Sequence, residues 1–173
     1  VEQSFISPVY GVRRVPVEKV QANNYNPNSI APPEMRLLYK SIFEDGYTMP
    51  IVCSLPDENG IYELVDGYHR YLTMLKNNDI YDRECGHIPV SIINKTRQEC
   101  MASTIRHNRA RGTHSIELMV KIVQELIDSG LGDAWIMKNI GMDADELLRL
   151  KQLSGLAALF KDKDFSKSWI YEK

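Results

Sequence analysis

Near residue 97 the spacing of apolar residues changes, and that change constrains the fold more than any other feature of this 173-residue sequence. Upstream, apolar runs of strand length alternate with stretches of helical period. Downstream, apolar residues recur only every three or four positions. A chain of this length has room for one full domain, or for a compact domain with a small second module. The pattern predicts a mixed α/β domain over residues 1–111, a small sheet with helices, and an all-α domain over residues 112–173.

In the first part, RRVPVEKVQA reads as a strand entering a turn, and the Asn- and Pro-rich NNYNPNSIAPP as a loop. Met35, Leu38 and Ile42 predict a helix over 33–45, stopped at Gly46. MPIVCSL and IYELV read as strands around the turn PDENG. A helix follows Asp66-Gly67, with Tyr68, Tyr71, Leu72 and Leu75 on one face, and HIPVSII is a third strand. Beyond it, RQECMASTIRHN and SIELMVKIVQELIDSG read as helices, the latter with Gly130 as its stop. DAWIMKNI, GMD and ADELLRLKQL then read as helix, tight turn, helix.

Hydrophobic residues make up 43% and charged residues 25%, which excludes wholesale disorder. No apolar run approaches the ~18 residues of a membrane span. VEQSFISPVYGVRR has no apolar signal core, and Cys53, Cys85 and Cys100 form no CxxC pair. These features predict a cytoplasmic protein. The formal net charge of −2 excludes a uniformly basic nucleic-acid binder. Residues 1–100 carry 10 Lys/Arg against 13 Asp/Glu, and residues 101–173 carry 11 against 10.

Three constellations carry chemistry. In VDGYHR a strand runs through a glycine into a helix start. The N–H groups and dipole of that turn suit an anion, and His69 and Arg70 add donors. The blander alternative has Asp66 capping the helix and pairing with Arg70 on the surface. In RHNRARGTH, Arg106, Arg109 and Arg111 suit phosphates, and Asn108 offers an oxygen to Mg²⁺. Thr113 or Ser115 would cap the next helix. The alternative is a basic helix end that complements its dipole. In the helix-turn-helix pattern, Arg149, Lys151 and Gln152 are placed to reach DNA, against the acids Asp143, Asp145 and Glu146. The alternative is an ordinary helical hairpin. Cys85 and His87 lack the second ligand pair of a zinc site, and no GxxxxGK[ST], GxGxxG or GxSxG motif occurs.

The order VPVEKV, helix, GYTMPIVC, YELVDGYHRYLTML, HIPVSIINKT resembles the ParB/sulfiredoxin-like N-terminal domain over about residues 12–97. DG-x-HR is similar to that family's phosphate motif, to sulfiredoxin's G-G-C-H-R and to the free serine kinases' D-G-H-H-R. HNRARGTHSIELMVKIVQELIDSG is similar to the third ParB box, E-N-x-Q-R, with Asn108 and Arg111 on its Asn and final Arg. Together with the helix-turn-helix, the style resembles IbrB-type ParB-like co-activators of prophage genes.

This resemblance implies a nucleoside triphosphate, ATP or CTP, with Mg²⁺. Its phosphates would lie on Asp66, Gly67, His69, Arg70, Arg106, Asn108, Arg109, Arg111, Thr113 and His114. Thr48, Pro50 and Tyr68 would line the base or pocket. It further implies DNA, a homodimer and a protein partner encoded nearby. Departures from the pattern shape the expected activity. Tyr68 replaces sulfiredoxin's catalytic Cys, His107 replaces the ParB box Glu, and no acid stands at 26–28 where the serine kinases carry Glu. Glu34 and Asp45 are the nearest replacements. The expectation is a DNA-acting, nucleotide-binding regulator with slow or no hydrolysis. The alternative is an ATPase or small-molecule phosphotransferase of the sulfiredoxin/serine-kinase type.

Overall fold

The computed structural model describes residues 5–23, 32–111 and 116–160, with backbone only for 108–111, 117–118 and 156–160. After a 3-10 turn at Pro8–Gly11 come β1 (Arg13–Pro16) and β2 (Val20–Gln21), then α1 (Pro32–Asp45), β3 (Ile51–Ser54) and β4 (Tyr62–Asp66). Next are α2 (Tyr68–Lys76), α3 (Asn78–Arg83) and β5 (His87–Ile93). Then follow α4 (Arg97–Arg111), α5 (Ile116–Asp128), α6 (Asp133–Ile140) and α7 (Ala144–Phe160).

The five strands form one mixed sheet in the order β1-β5-β3-β4-β2. β3 pairs parallel with β5 and antiparallel with β4, so its alternating Ile51 and Cys53 are sealed in the centre. The strand entering a turn predicted within 13–22 is present as β1 and a 3-10 turn at Val17–Lys19, and a second short edge strand, β2, follows that turn. Pro16, which has no N–H to continue a ladder, ends β1. β2 then crosses to the far edge and pairs parallel with β4.

The two halves have separate cores. Val15, Val20, Ile42, Ile51, Leu64, Met74, Ile80 and Ile88 pack between the sheet and α1–α3. Ile122, Val123, Leu126, Ile136, Ile140 and Leu147 pack among the helices of the second half. α4 is shared. It puts Met101, Ala102 and Ile105 into the helical core, while Thr104 Oγ1 donates across to the Val65 carbonyl at 2.7 Å. The expected boundary at 111/112 falls at the end of α4, and residues 112–115 lie outside the described residues. No helix among the described residues is long and apolar enough to cross a membrane.

Candidate functional site

The site begins where β4 leaves the sheet. Gly67 has φ +97°, a left-handed conformation that side-chain-bearing residues rarely adopt. A Cβ there would lie 2.8 Å from both Ile51 Cγ2 and Arg70 Nη2. Strain and space thus both demand glycine. The turn sends the chain directly into α2, whose first intrahelical bond runs from Tyr71 N–H to the Gly67 carbonyl at 3.0 Å. The N–H groups of Tyr68, His69 and Arg70 precede that bond, so they lie beyond the reach of intrahelical acceptors. Gly67, at the cap position, has no side chain to offer them.

The first half of the blander alternative is corrected in its position: the cap position of α2 is Gly67, and Asp66 is the last residue of β4. The second half is corrected as well, because the Asp66–Arg70 pair is not on the surface. Asp66 Oδ2 lies 3.8 Å from Arg70 Nη2, with the two side chains 8% and 16% exposed. The same oxygen lies 3.8 Å from His107 Nδ1 on α4. Arg70 also donates to the Pro50 carbonyl at 3.2 Å, and its own carbonyl accepts from Tyr47 Oη at 2.9 Å. One buried carboxylate therefore orients an arginine from the turn and a histidine from α4. Burial, together with the nearby Arg70 charge, lowers the His69 pKa, against a smaller opposing pull from Asp66. That keeps the imidazole neutral at pH 7, able to donate from one nitrogen and accept at the other.

Pro50, Asp66, Gly67, His69 and Arg70 converge at this turn. Thr48 is exposed on the segment that leads to Pro50, and Tyr68 packs half-buried against the sheet core. Arg106 points elsewhere: its guanidinium donates to the Asn139 carbonyl of α6 and to Ser103 Oγ at 3.0 Å. The side chains of Asn108, Arg109 and Arg111, and Thr113 and His114 altogether, lie outside the described residues. Sequence reasoning missed Tyr47 and Thr104. Neither sits in a motif, and each acts through a bond to a distant backbone carbonyl.

In the second half, α6 ends at Gly141, whose φ of +75° lets its N–H reach the Met137 carbonyl at 3.0 Å. Asp143 Oδ1 then accepts the Glu146 N–H at 2.7 Å and starts α7. Ile136, Ile140, Met142, Leu147 and Leu150 are buried and fix the angle between the two helices. Arg149 and Gln152 are exposed on α7, whereas Lys151 turns back to Asp133 at 2.5 Å.

Residues 114–162 match the family of IbrB-like C-terminal HTH domains. Over 162 residues the chain is 47% identical to the uncharacterized protein YbdM of Escherichia coli (strain K12), spanning 94% of this chain and 77% of that protein. The fold is similar to that of the C-terminally truncated chromosome-partitioning protein ParB from Caulobacter crescentus. In its complex with CTP-gamma-S the TM-score is 0.50 at 18% identity, over 87% of this chain and 86% of that one. In its complex with the centromeric parS site the TM-score is 0.51 at 17% identity, over 82% and 71%. At these identities the likeness is one of fold, and it bears out the expected ParB-like α/β domain followed by a helix-turn-helix.

Proposed function

The chain belongs to the family of Escherichia coli YbdM, and from that premise we propose that it is a DNA-associated regulatory protein whose ParB-like domain binds a nucleoside triphosphate and hydrolyses it slowly or not at all. The observation that carries this reading is the left-handed Gly67 turn, which sets the start of α2 beside the side chains of Arg70 and His69, with a glycine at the cap position. Aligned N–H dipoles, a fixed guanidinium and a neutral imidazole suit a phosphate chain. The fold is shared with a ParB solved with a CTP analogue and, separately, with its DNA site, which supports a nucleotide and DNA as partners.

Mg²⁺ on the phosphates would neutralise their charge and align the terminal group. Asn108, one residue beyond His107 on α4, is the candidate to supply an oxygen. Hydrolysis also needs a group that orients or deprotonates water. The carboxylate nearest the turn, Asp66, is buried and already faces Arg70 and His107. That arrangement favours holding a nucleotide over consuming it. α4 reaches the turn through His107 and belongs to the helical core through Met101 and Ile105. A bound nucleotide would thereby influence how the helix-turn-helix is presented to DNA.

Calorimetric titration of ATP and CTP, each with and without Mg²⁺, tests the reading. We expect saturable binding of at least one, weakened about tenfold or more in Arg70→Ala. Arg70→Ala leaves Asp66 buried without its arginine, so circular dichroism checks folding, and His69→Ala provides a second variant that spares the pair. Unchanged affinity in both folded variants, or no binding of either nucleotide, overturns the assignment. Phosphate release at saturating nucleotide should be slow, and rapid turnover would put the enzyme alternative ahead.

A further inference from the structure

Arg70 is held at both ends by one short connection. Residues 46–50 join α1 to β3, and Gly46, with φ +77°, turns the chain out of α1. From this connection Tyr47 Oη donates to the Arg70 main-chain carbonyl at 2.9 Å, and the Pro50 carbonyl accepts from Arg70 Nη2 at 3.2 Å. The backbone and the guanidinium of one residue are thus tied to neighbouring points of the same segment.

α2 supplies little of this order itself. It has nine residues and buries only Tyr71, Thr73 and Met74, all beyond its first three positions. Tyr71 Oη donates to the Val20 carbonyl at 3.0 Å and pins the core side of the helix to β2. At residue 70 the pin is Tyr47. A carbonyl oxygen has two lone pairs, so the hydroxyl adds to the helix's own ladder without displacing it. The Tyr47 ring packs half-buried against the sheet core. That burial, with the nearby Glu84, pushes its pKa up against smaller pulls from Arg83 and Arg70. The hydroxyl therefore keeps its proton and remains a donor. A long side chain gives up rotamer freedom when it fixes a ligand, and one that is already held gives up less. With its backbone on Tyr47 and its fork on Pro50 and Asp66, Arg70 meets an arriving anion already ordered.

We propose that Tyr47 is a positioning residue of the phosphate turn: through the Arg70 carbonyl it fixes where the Arg70 guanidinium meets the phosphate chain. This inference rests on the reading of the turn as a nucleotide site.

The test is calorimetric titration of the full chain with ATP and CTP, each with Mg²⁺, for wild type, Tyr47→Phe, Arg70→Ala and the double variant. Tyr47→Phe keeps the ring and loses the donor, so affinity should fall about three- to tenfold. In the Arg70→Ala background the same change should cost less than about twofold, because no guanidinium is left to place. Urea unfolding reads the structural share of the bond. Arg70→Ala retains the carbonyl, so Tyr47→Phe should lower stability equally in both backgrounds. If circular dichroism shows Arg70→Ala unfolded, the cycle is run on Asp66→Asn with Arg70→Met, which removes both charges together. An equal loss of affinity in the two backgrounds overturns the proposal. So does full affinity in Tyr47→Phe where Arg70→Ala binds more weakly, and either result leaves the nucleotide reading standing. Absence of nucleotide binding by the wild type overturns the reading of the turn, and the role of Tyr47 falls with it.

Discussion

The two halves of the molecule use the same ingredients, a glycine in left-handed conformation and charged residues at a helix start, to opposite ends. In the sheet half, Gly67 is wedged against Ile51, and the charges around it are buried and face one another at the start of α2. In the helical half, Gly141 has a similar φ but open space around it, and Asp143 satisfies the start of α7. There the basic groups serve the helices' own packing, Arg106 on Asn139 and Lys151 on Asp133. A turn that satisfies its own helix start is a structural joint. A turn with a glycine wedged at the cap position, set beside buried charge, fits the proposed phosphate site.

The sharpest way to break this contrast is to add one methyl group to each glycine. Gly67→Ala should cost about 3 kcal/mol, from backbone strain together with contacts at 2.8 Å. Gly141→Ala, with strain alone, should cost about 1 kcal/mol. Urea unfolding followed by circular dichroism measures both, and equal costs would erase the distinction. A smaller effect is expected where the halves meet. Thr104→Val removes the buried bond to the Val65 carbonyl and should cost about 1–2 kcal/mol. Hydrogen exchange should then quicken at the α4–β4 contact before it quickens inside either core; an unchanged exchange pattern would mean that packing alone joins the halves.

The smallest effect concerns acidity. The His69 pKa is lowered in the folded state, so the unfolded chain binds its proton more readily. Its contribution to stability is fully present above about pH 6.5, the unfolded value, and is lost as pH falls through the lower folded value. His69→Gln should flatten that limb of the stability curve, which chemical denaturation at pH 7 and pH 5.5 would reveal. A curve of unaltered slope would show that His69 does not feel its burial.

Local pattern made much of this legible. Gly67 between an apolar run and a helical period identified the turn, and the three- and four-residue spacing after residue 97 identified the helices. What escaped was long-range. α3 buries only Ile80, too little to show a period. It is held by its Arg83, which donates to the Phe43 and Ile42 carbonyls at the end of α1. Arg106 read as a phosphate ligand because it stood in a basic run, yet a helix-to-helix carbonyl claims it. The blander alternative correctly paired Asp66 with Arg70, but no spacing could show that α4 covers the pair. Contacts between elements distant in sequence leave no periodic trace, and these features consist of little else.

The Thr104 bond also sets the mechanics of α4. With a rise of about 1.5 Å per residue, Arg97, paired with Glu125 of α5, lies about 10 Å from that bond, and His107 at the turn about 4.5 Å on the other side. A rigid tilt of the helix about that bond would move its two ends in opposite directions, with the longer excursion at Arg97 and the shorter one beside Asp66.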